Sequence, residues 1–523
     1  MGAPVRLREV LNDTMRELAI KERVCVRPMM RRVLDRDTGS DTVVALPCGA
    51  TRASACPSCA HKARVLRMQQ CAEGWHRTDE PDTHDNPDAP DGPGDQDHHD
   101  NDDRADADSR LSGPDDTSPV DDATPGLVGA VAGGRRQRST RRRQDAGSLP
   151  RVPVEDRTIG TVYRTPEGRE FRPSMFLTLT LPSYGPVRDG APTDPASYDY
   201  QRQARDTVHF AKLVDRFIQQ LRRTCGFKLQ YFATVEPQAR LAPHLHMAIR
   251  GTIPHQIIRQ ALAAVYHQVW WPQHDQPVYL DELPVWTGAG YADPTTGELL
   301  PTWDEATEDL DRPAHLLRFG TQHDSRGIIA PSPEADRTVR YLTKYLTKAV
   351  SDPLGGDDAD DHPRRLAHIA RMEAELRFLP CSPGCWNWLR YGVQPDHAAR
   401  GMEPGRCPKK AHDRDHLGLG GRRVLVSRKW SGKTLARHRA DRASVVREAL
   451  HAAGYLDPDI ESMAADVTST DGHPRYIWTD TDVPADTYAR VISDLIVQRR
   501  SWRDQYDAAK QAVETRSATG PDP

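Results

Sequence analysis

Two short runs stand close together in this chain: Leu229-Gln230-Tyr231-Phe232-Ala233-Thr234-Val235-Glu236 and Pro243-His244-Leu245-His246-Met247-Ala248-Ile249. In the second, alternation places Leu245, Met247 and Ile249 on one face and His244 and His246 on the other. The turn from Pro237 to Pro243 is too short for a crossover, so the two strands run antiparallel. Upstream, Met175-Phe176-Leu177-Thr178-Leu179-Thr180-Leu181 alternates in the same way, and Pro182-Ser183-Tyr184-Gly185 closes it. Residues Asp199 to Cys225 carry Val208, Ala211, Leu213, Val214, Phe217, Ile218 and Leu221 at helical spacing, with Gly226 as the stop. A further helix is expected from Thr252 to Trp271. Strand, helix, strand, strand, helix with a hairpin in the middle reads as an α+β fold, an antiparallel sheet with flanking helices. Residues 272–333 are rich in Pro, Gly, Asp and Trp, and Phe319-Gly320-Thr321-Gln322 reads as a strand edge.

The same runs carry candidate chemistry. His244 and His246 point to one side of their strand and can meet one divalent ion. Glu236 ends the neighbouring strand and is placed to supply a third ligand, though another acid could do so. Two histidines and a carboxylate leave coordination positions open for a phosphate oxygen. Downstream lies Arg340-Tyr341-Leu342-Thr343-Lys344-Tyr345-Leu346-Thr347-Lys348, expected within a helix from about Glu334 to Val350. Spacing of four puts Tyr341 and Tyr345 on one face and Lys344 and Lys348 on an adjacent one. Ammonium groups beside a phenol favour phenolate and offset phosphate charge. Tyr345, with a lysine just before it and another three after, is the better nucleophile candidate.

Nine cysteines with short spacings argue for zinc before disulfides. Cys56-Pro57-Ser58-Cys59 is a knuckle, with Cys48 and Cys25 upstream to complete a four-thiolate shell. Cys71 and His76 are spare ligands. A short amphipathic helix, residues 5–20, precedes this module. Cys381, Cys385 and Cys407 with His412, and His416 nearby, form a second candidate zinc set. Around them, Gly421 to Thr434 reads as a short strand and basic turn, whose Arg422, Arg423, Arg428, Lys429 and Lys433 are candidate DNA contacts. Ser431-Gly432-Lys433-Thr434 imitates the end of a P-loop, but Ser427 stands where that loop needs glycine. Helices are expected at 434–453 and at about 485–513.

Charge is divided unevenly. The net charge is −4, yet Asp79 to Asp122 carries 17 acidic residues against 2 arginines, leaving +11 for the remainder. A basic body suits a polyanionic partner. The stretch from Arg77 to Leu149 is poor in core-forming residues, reads as disordered, and ends in a basic cluster at residues 135–143. There is no apolar run of 18 residues and no signal-peptide pattern, so a cytoplasmic location without membrane attachment is expected.

Phe176-Leu177-Thr178-Leu179-Thr180, His244-Leu245-His246 and Lys344-Tyr345-Leu346-Thr347-Lys348 resemble, in order, the three motifs of the HUH endonuclease superfamily. The third departs in one place, with Thr343 where the family pattern has an apolar residue. The wider chain is similar to rolling-circle replication initiators of actinobacterial plasmids and integrative elements. Supporting stretches are Pro243 to Gly251, Tyr341 to Lys348, Trp388 to Val393 and Gly421 to Thr434. The likeness covers most of 20–75 and 171–450 and omits the acidic insertion.

This resemblance implies an HUH-like fold and a metal-dependent single-strand endonuclease. Mg2+ or Mn2+ would sit on His244, His246 and Glu236, with Zn2+ as the structural metal. Tyr345 would nick one strand of origin DNA, leaving a 5′-phosphotyrosine and a 3′-OH primer for a host polymerase working with a helicase. Tyr341 would be a second nucleophile, and Lys344 and Lys348 would position the phosphate. The chain is expected to divide into an N-terminal helix and four-cysteine zinc module (1–76), a disordered insertion (77–150), the nicking domain that the resemblance implies (151–350), a linker and helix (351–380), a second zinc module with strand, turn and helix (381–454) and a C-terminal region with an amphipathic helix (455–523). Other readings are a transposase or relaxase of the same superfamily, or a non-catalytic zinc-dependent DNA-binding regulator. Histidines that precede the tyrosine disfavour a relaxase.

Overall fold

The structure, a computed structural model, describes residues 3–77, 149, 151–158, 163–168, 170–330, 332–344, 346–348, 363–421, 423–442, 468–469, 471–481 and 487–518. The principal elements in chain order are α1 (Ala3–Lys21), β1 (Met29–Asp35), β2 (Asp41–Leu46), α2 (Pro57–His76), β3 (Glu170–Thr180), α3 (Tyr200–Cys225), β4 (Tyr231–Pro237), β5 (Pro243–Arg250), α4 (His255–Ala264), β6 (Tyr266–Val269), β7 (His315–Arg318), β8 (His323–Ala330), α5 (Pro333–Leu342), α6 (Pro363–Phe378), β9 (Val424–Val426), β10 (Tyr476–Thr481) and α7 (Tyr488–Ala518). Two compact units share them: Met1–Gln70 with Leu346–Lys348 and Lys433–Pro523, and Cys71–Tyr345 with Ala349–Gly432.

In the first unit β1 sits between β10 and β2, both antiparallel to it. Ala19, Val24, Ile492 and Ile496 pack with Cys25, Cys56 and Cys59, so the apolar stripes of α1 and α7 close over the thiols.

The second unit is built on an antiparallel sheet in the order β8-β3-β5-β4-β9, with Tyr163–Arg164 pairing an end of β3. Alternation sends Met175, Leu177, Leu179, Ala233, Val235, Leu245, Met247 and Ile249 to one face. There they are buried against Phe210, Leu213, Val214, Phe217, Ile218 and Leu221 of α3. The start of α3 is set by Asp199, whose carboxylate accepts the Arg202 amide at 3.0 Å. Gly226 ends it at φ 70°, a left-handed position that favours glycine. Ile369, Met372 and Leu376 of α6 extend this core.

Three expectations change. The helix from Thr252 to Trp271 stops at Ala264, and Tyr266–Val269 turns into a strand paired with His315–Arg318. A short aromatic and β-branched run is ambiguous until a partner strand is found. Phe319–Gln322 is the link between two strands, where a Cβ on Gly320 would crowd the Leu181 backbone. The tyrosine helix begins at a Ser332 cap, whose hydroxyl accepts the Ala335 amide at 3.1 Å, and ends at Leu342 rather than near Val350. Thr343 turns its hydroxyl back onto the Val339 carbonyl at 3.0 Å.

The acidic and basic insertion lies outside the described residues, apart from Arg77 and Leu149. Of the helix expected at 434–453, residues 435–442 are described and helical. Among the described residues no helix is long and apolar enough to cross a membrane.

Candidate active site

The face of the sheet turned away from α3 is polar at one end. Cross-strand register sets Thr178, His246 and Thr234 in one row and Thr180, His244 and Glu236 in the next. Directly opposed residues share a face, so six polar side chains converge there. Phe176, two residues before Thr178, stacks on the His246 ring at 5.7 Å and 9°. The two histidine rings lie 4.5 Å apart.

Helix α5 brings Tyr341 onto this face. Its hydroxyl lies 3.3 Å from His246 Nε2, and its ring meets the imidazole edge-on at 5.1 Å. Tyr341 is 43% exposed, whereas His246 and Glu236 are buried. On its other side His246 presents Nδ1 to the Thr178 hydroxyl at 3.2 Å. Glu236 Oε2 stands 3.6 Å from His246 Nε2.

Burial dominates the electrostatics. It lowers the pKa of His246 to about 3, with the neighbouring His244 adding to the effect, and it lowers that of His244. Both imidazoles are therefore neutral and hold a lone pair. Burial raises the Glu236 pKa to about 7, and Arg423 and then Lys344 oppose the rise. Glu236 Oε1, His244 Nε2 and Thr234 Oγ1 are buried with no hydrogen-bond partner among the described residues. Unmet donors and acceptors of this kind are costly unless something occupies them. Two neutral imidazoles and a carboxylate are a donor set that could hold a divalent metal ion with positions left open. The trio is looser than the cysteine sets, each of which brings its four ligand atoms within 4.8 Å of one another.

Of the remaining residues expected at this site, Lys344 lies in the turn after α5, near enough to act on Glu236. Tyr345 lies outside the described residues. Lys348 groups with the first unit, where the neighbouring Thr347 carbonyl accepts the Ala53 amide at 2.8 Å. The single helical face on which two tyrosines were expected ends with the helix at Leu342.

Both cysteine sets close as their spacing suggested. Cys25, Cys48, Cys56 and Cys59 converge, with the Cys48 amide donating to Cys25 Sγ at 3.3 Å. Cys56 and Cys59 meet the others because α2 starts between them. Cys381, Cys385 and Cys407 converge with His412, whose Nε2 is 3.5 Å from Cys385 Sγ. His412 Nδ1 is held at 2.8 Å by the Leu376 carbonyl, which turns Nε2 toward the thiols, a common support for a metal-bound histidine. Either set could hold a metal such as zinc. The spare ligands belong to neither set: Cys71 is buried, and His76 lies 3.1 Å from Asp336.

The basic turn is less uniform than its sequence. Arg423, one of the candidate DNA contacts, is buried, its Nε donating to the Val235 carbonyl at 3.2 Å. The reason is register: the chain here pairs with β4, and the arginine is carried inward beside Glu236. Arg428 is exposed, Lys429 lies 3.6 Å from Asp156, Lys433 pairs with Asp441 at 2.8 Å, and Arg422 is outside the described residues. Ser427, in the position a P-loop gives to glycine, accepts the Tyr231 amide on its hydroxyl at 2.8 Å. The residues missed from sequence are Thr178 and Thr234 as partners of the histidine site. Their signal was the two-residue alternation that places them on the histidine face.

Comparison with known proteins agrees on one family. The sequence profile of the RepSA family, described as "Replication initiator protein, pSAM2", matches residues 12–509. A curated "Replication initiator protein" from Streptomyces ambofaciens is 26% identical over 251 residues, 38% of this chain and 50% of the relative. The chain thus spans about half the length of that relative. No solved structure matches. The profile covers nearly the whole chain, and the protein belongs to the RepSA family of replication initiator proteins.

Proposed function

We propose that this protein starts replication by nicking one strand of origin DNA with a tyrosine, at an HUH-type site formed by His244, His246 and Glu236. The observation that carries the reading is Tyr341, whose hydroxyl sits 3.3 Å from His246 Nε2, beside three buried polar atoms that have no hydrogen-bond partner among the described residues. Rolling-circle initiation in the cytoplasm is the setting this chemistry fits.

His244, His246 and Glu236 would hold Mg2+ or Mn2+, which when bound places positive charge on the scissile phosphate. The chain's own groups do the rest. The Tyr341 oxygen gives its proton to solvent and bonds to phosphorus, the P–O3′ bond breaks, and the departing 3′ oxygen takes a proton from solvent. The products are a 5′-phosphotyrosine and a 3′-OH that a host polymerase, with a helicase, can extend. Lys344 offsets charge that builds on the phosphate. A phosphate reaches such a recessed site only in an unpaired strand, so single-stranded origin DNA is the substrate. The resemblance gives the nucleophilic role to Tyr345, which lies outside the described residues, and a second such role to Tyr341, whose contact with His246 supports the reading. Zn2+ in the two cysteine sets would be structural.

The test is cleavage of a single-stranded origin oligonucleotide with and without added Mn2+. Metal-dependent cleavage that is lost with Tyr341→Phe and kept with Tyr345→Phe is expected. Cleavage without metal, or loss confined to Tyr345→Phe, would overturn the respective part of the reading.

A further inference from the structure

Thr178 is opposite His246 in the β3–β5 register, and its hydroxyl lies 3.2 Å from Nδ1. Neighbouring rings also hold the imidazole. Phe176 stacks on it nearly parallel, and Tyr341 meets it edge-on. Stacking fixes the plane of an imidazole but not its flip. A half-turn about Cβ–Cγ keeps the plane and exchanges Nδ1 with a carbon, and it also moves Nε2 away from Glu236. Only a partner that tells nitrogen from carbon can select between the two states, and at Nδ1 that partner is the Thr178 hydroxyl. Threonine suits the task because its β-branch restricts χ1, so the hydroxyl is held in place on the strand.

We propose that Thr178 is a positioning residue for the metal centre. It accepts the proton of His246 Nδ1 and so leaves the Nε2 lone pair as the ligand, on the side of Glu236 and Tyr341. This inference rests on the nicking-site reading above. It also gives a task to the Phe176–Thr180 run beyond forming a strand. Support of this kind behind a metal-bound histidine changes metal affinity by roughly 10- to 100-fold.

The experiment is a Mn2+ titration of the full zinc-loaded chain, with free Mn2+ followed by electron paramagnetic resonance and oligonucleotide cleavage measured in parallel. The His246→Ala chain defines background binding, including any by the acidic tract. Thr178→Val, which keeps shape and removes the acceptor, should weaken specific Mn2+ binding by roughly 10- to 100-fold. Thr178→Ser should recover binding to within about threefold, because it restores the acceptor. If Thr178→Val does not fold, Thr178→Cys takes its place with the same expected loss, since sulfur is a weak acceptor. Wild-type binding and cleavage with the acceptor-free variant binding equally well would overturn the Thr178 proposal alone. A wild-type chain with no Mn2+ binding above the His246→Ala background, and no cleavage, would overturn the site itself.

Discussion

The cysteine sets and the histidine site differ in how completely they enclose their contents. Each cysteine set has four donors within 4.8 Å of one another, enough to fill a tetrahedral shell and leave nothing for a substrate. The histidine site has three donors, one carboxylate oxygen without a hydrogen-bond partner among the described residues, and a 43% exposed tyrosine at its edge. A closed shell contributes its binding energy to folding, whereas an open one can act on a ligand. Donor count and exposure, more than residue type, set the two kinds of site apart in this chain.

The sharpest way to break that distinction is to open a closed shell. Cys385→Ser should lower bound zinc from two ions per chain to one by elemental analysis. It should also cause the largest loss of thermal stability of any substitution considered, since structural zinc contributes about 10–16 kcal/mol in small modules. Unchanged zinc content would show that Cys381, Cys407 and His412 do not form a metal shell with it. His246→Ala should do the reverse. Cleavage should fall by about a thousandfold or more, on the scale of several kcal/mol of charge stabilisation, with zinc content and melting temperature near wild type. A large stability loss would move this site into the structural class.

Smaller effects sharpen the picture. Lys344→Ala should slow cleavage by about tenfold, the worth of one nearby charge on the phosphate, with little change in stability. Arg428→Ala should leave cleavage of a short single strand unchanged. In filter binding it should weaken DNA affinity across sequences and reduce the log–log salt slope by about one.

Much of the sheet was legible because its signal is local. Alternation in Met175–Leu181 and Pro243–Ile249 gave both the strands and their faces, and Asp199 and Gly226 marked the ends of α3. Cysteine spacing gave both closed sets, since ligand type and separation are written in the chain itself. What was not legible depends on partners distant in sequence. Tyr266–Val269 is a strand only because His315–Arg318 lies beside it. Arg423 reads as a surface cation until pairing with β4 turns it inward. Helix α5 closes at Leu342, short of the span that the tyrosine and lysine spacing suggests. The first unit joins residues near both ends of the chain, through a β1–β10 pairing that no local pattern announces.

The most direct test is to trap the covalent intermediate. A single-stranded origin oligonucleotide is incubated with the full chain and Mn2+, and the adduct is digested and mapped by mass spectrometry. The nicking account requires a 5′-phosphonucleotide on the peptide that contains Tyr341, absent when Mn2+ is withheld. An adduct on another residue, or cleavage that leaves no adduct, would contradict it.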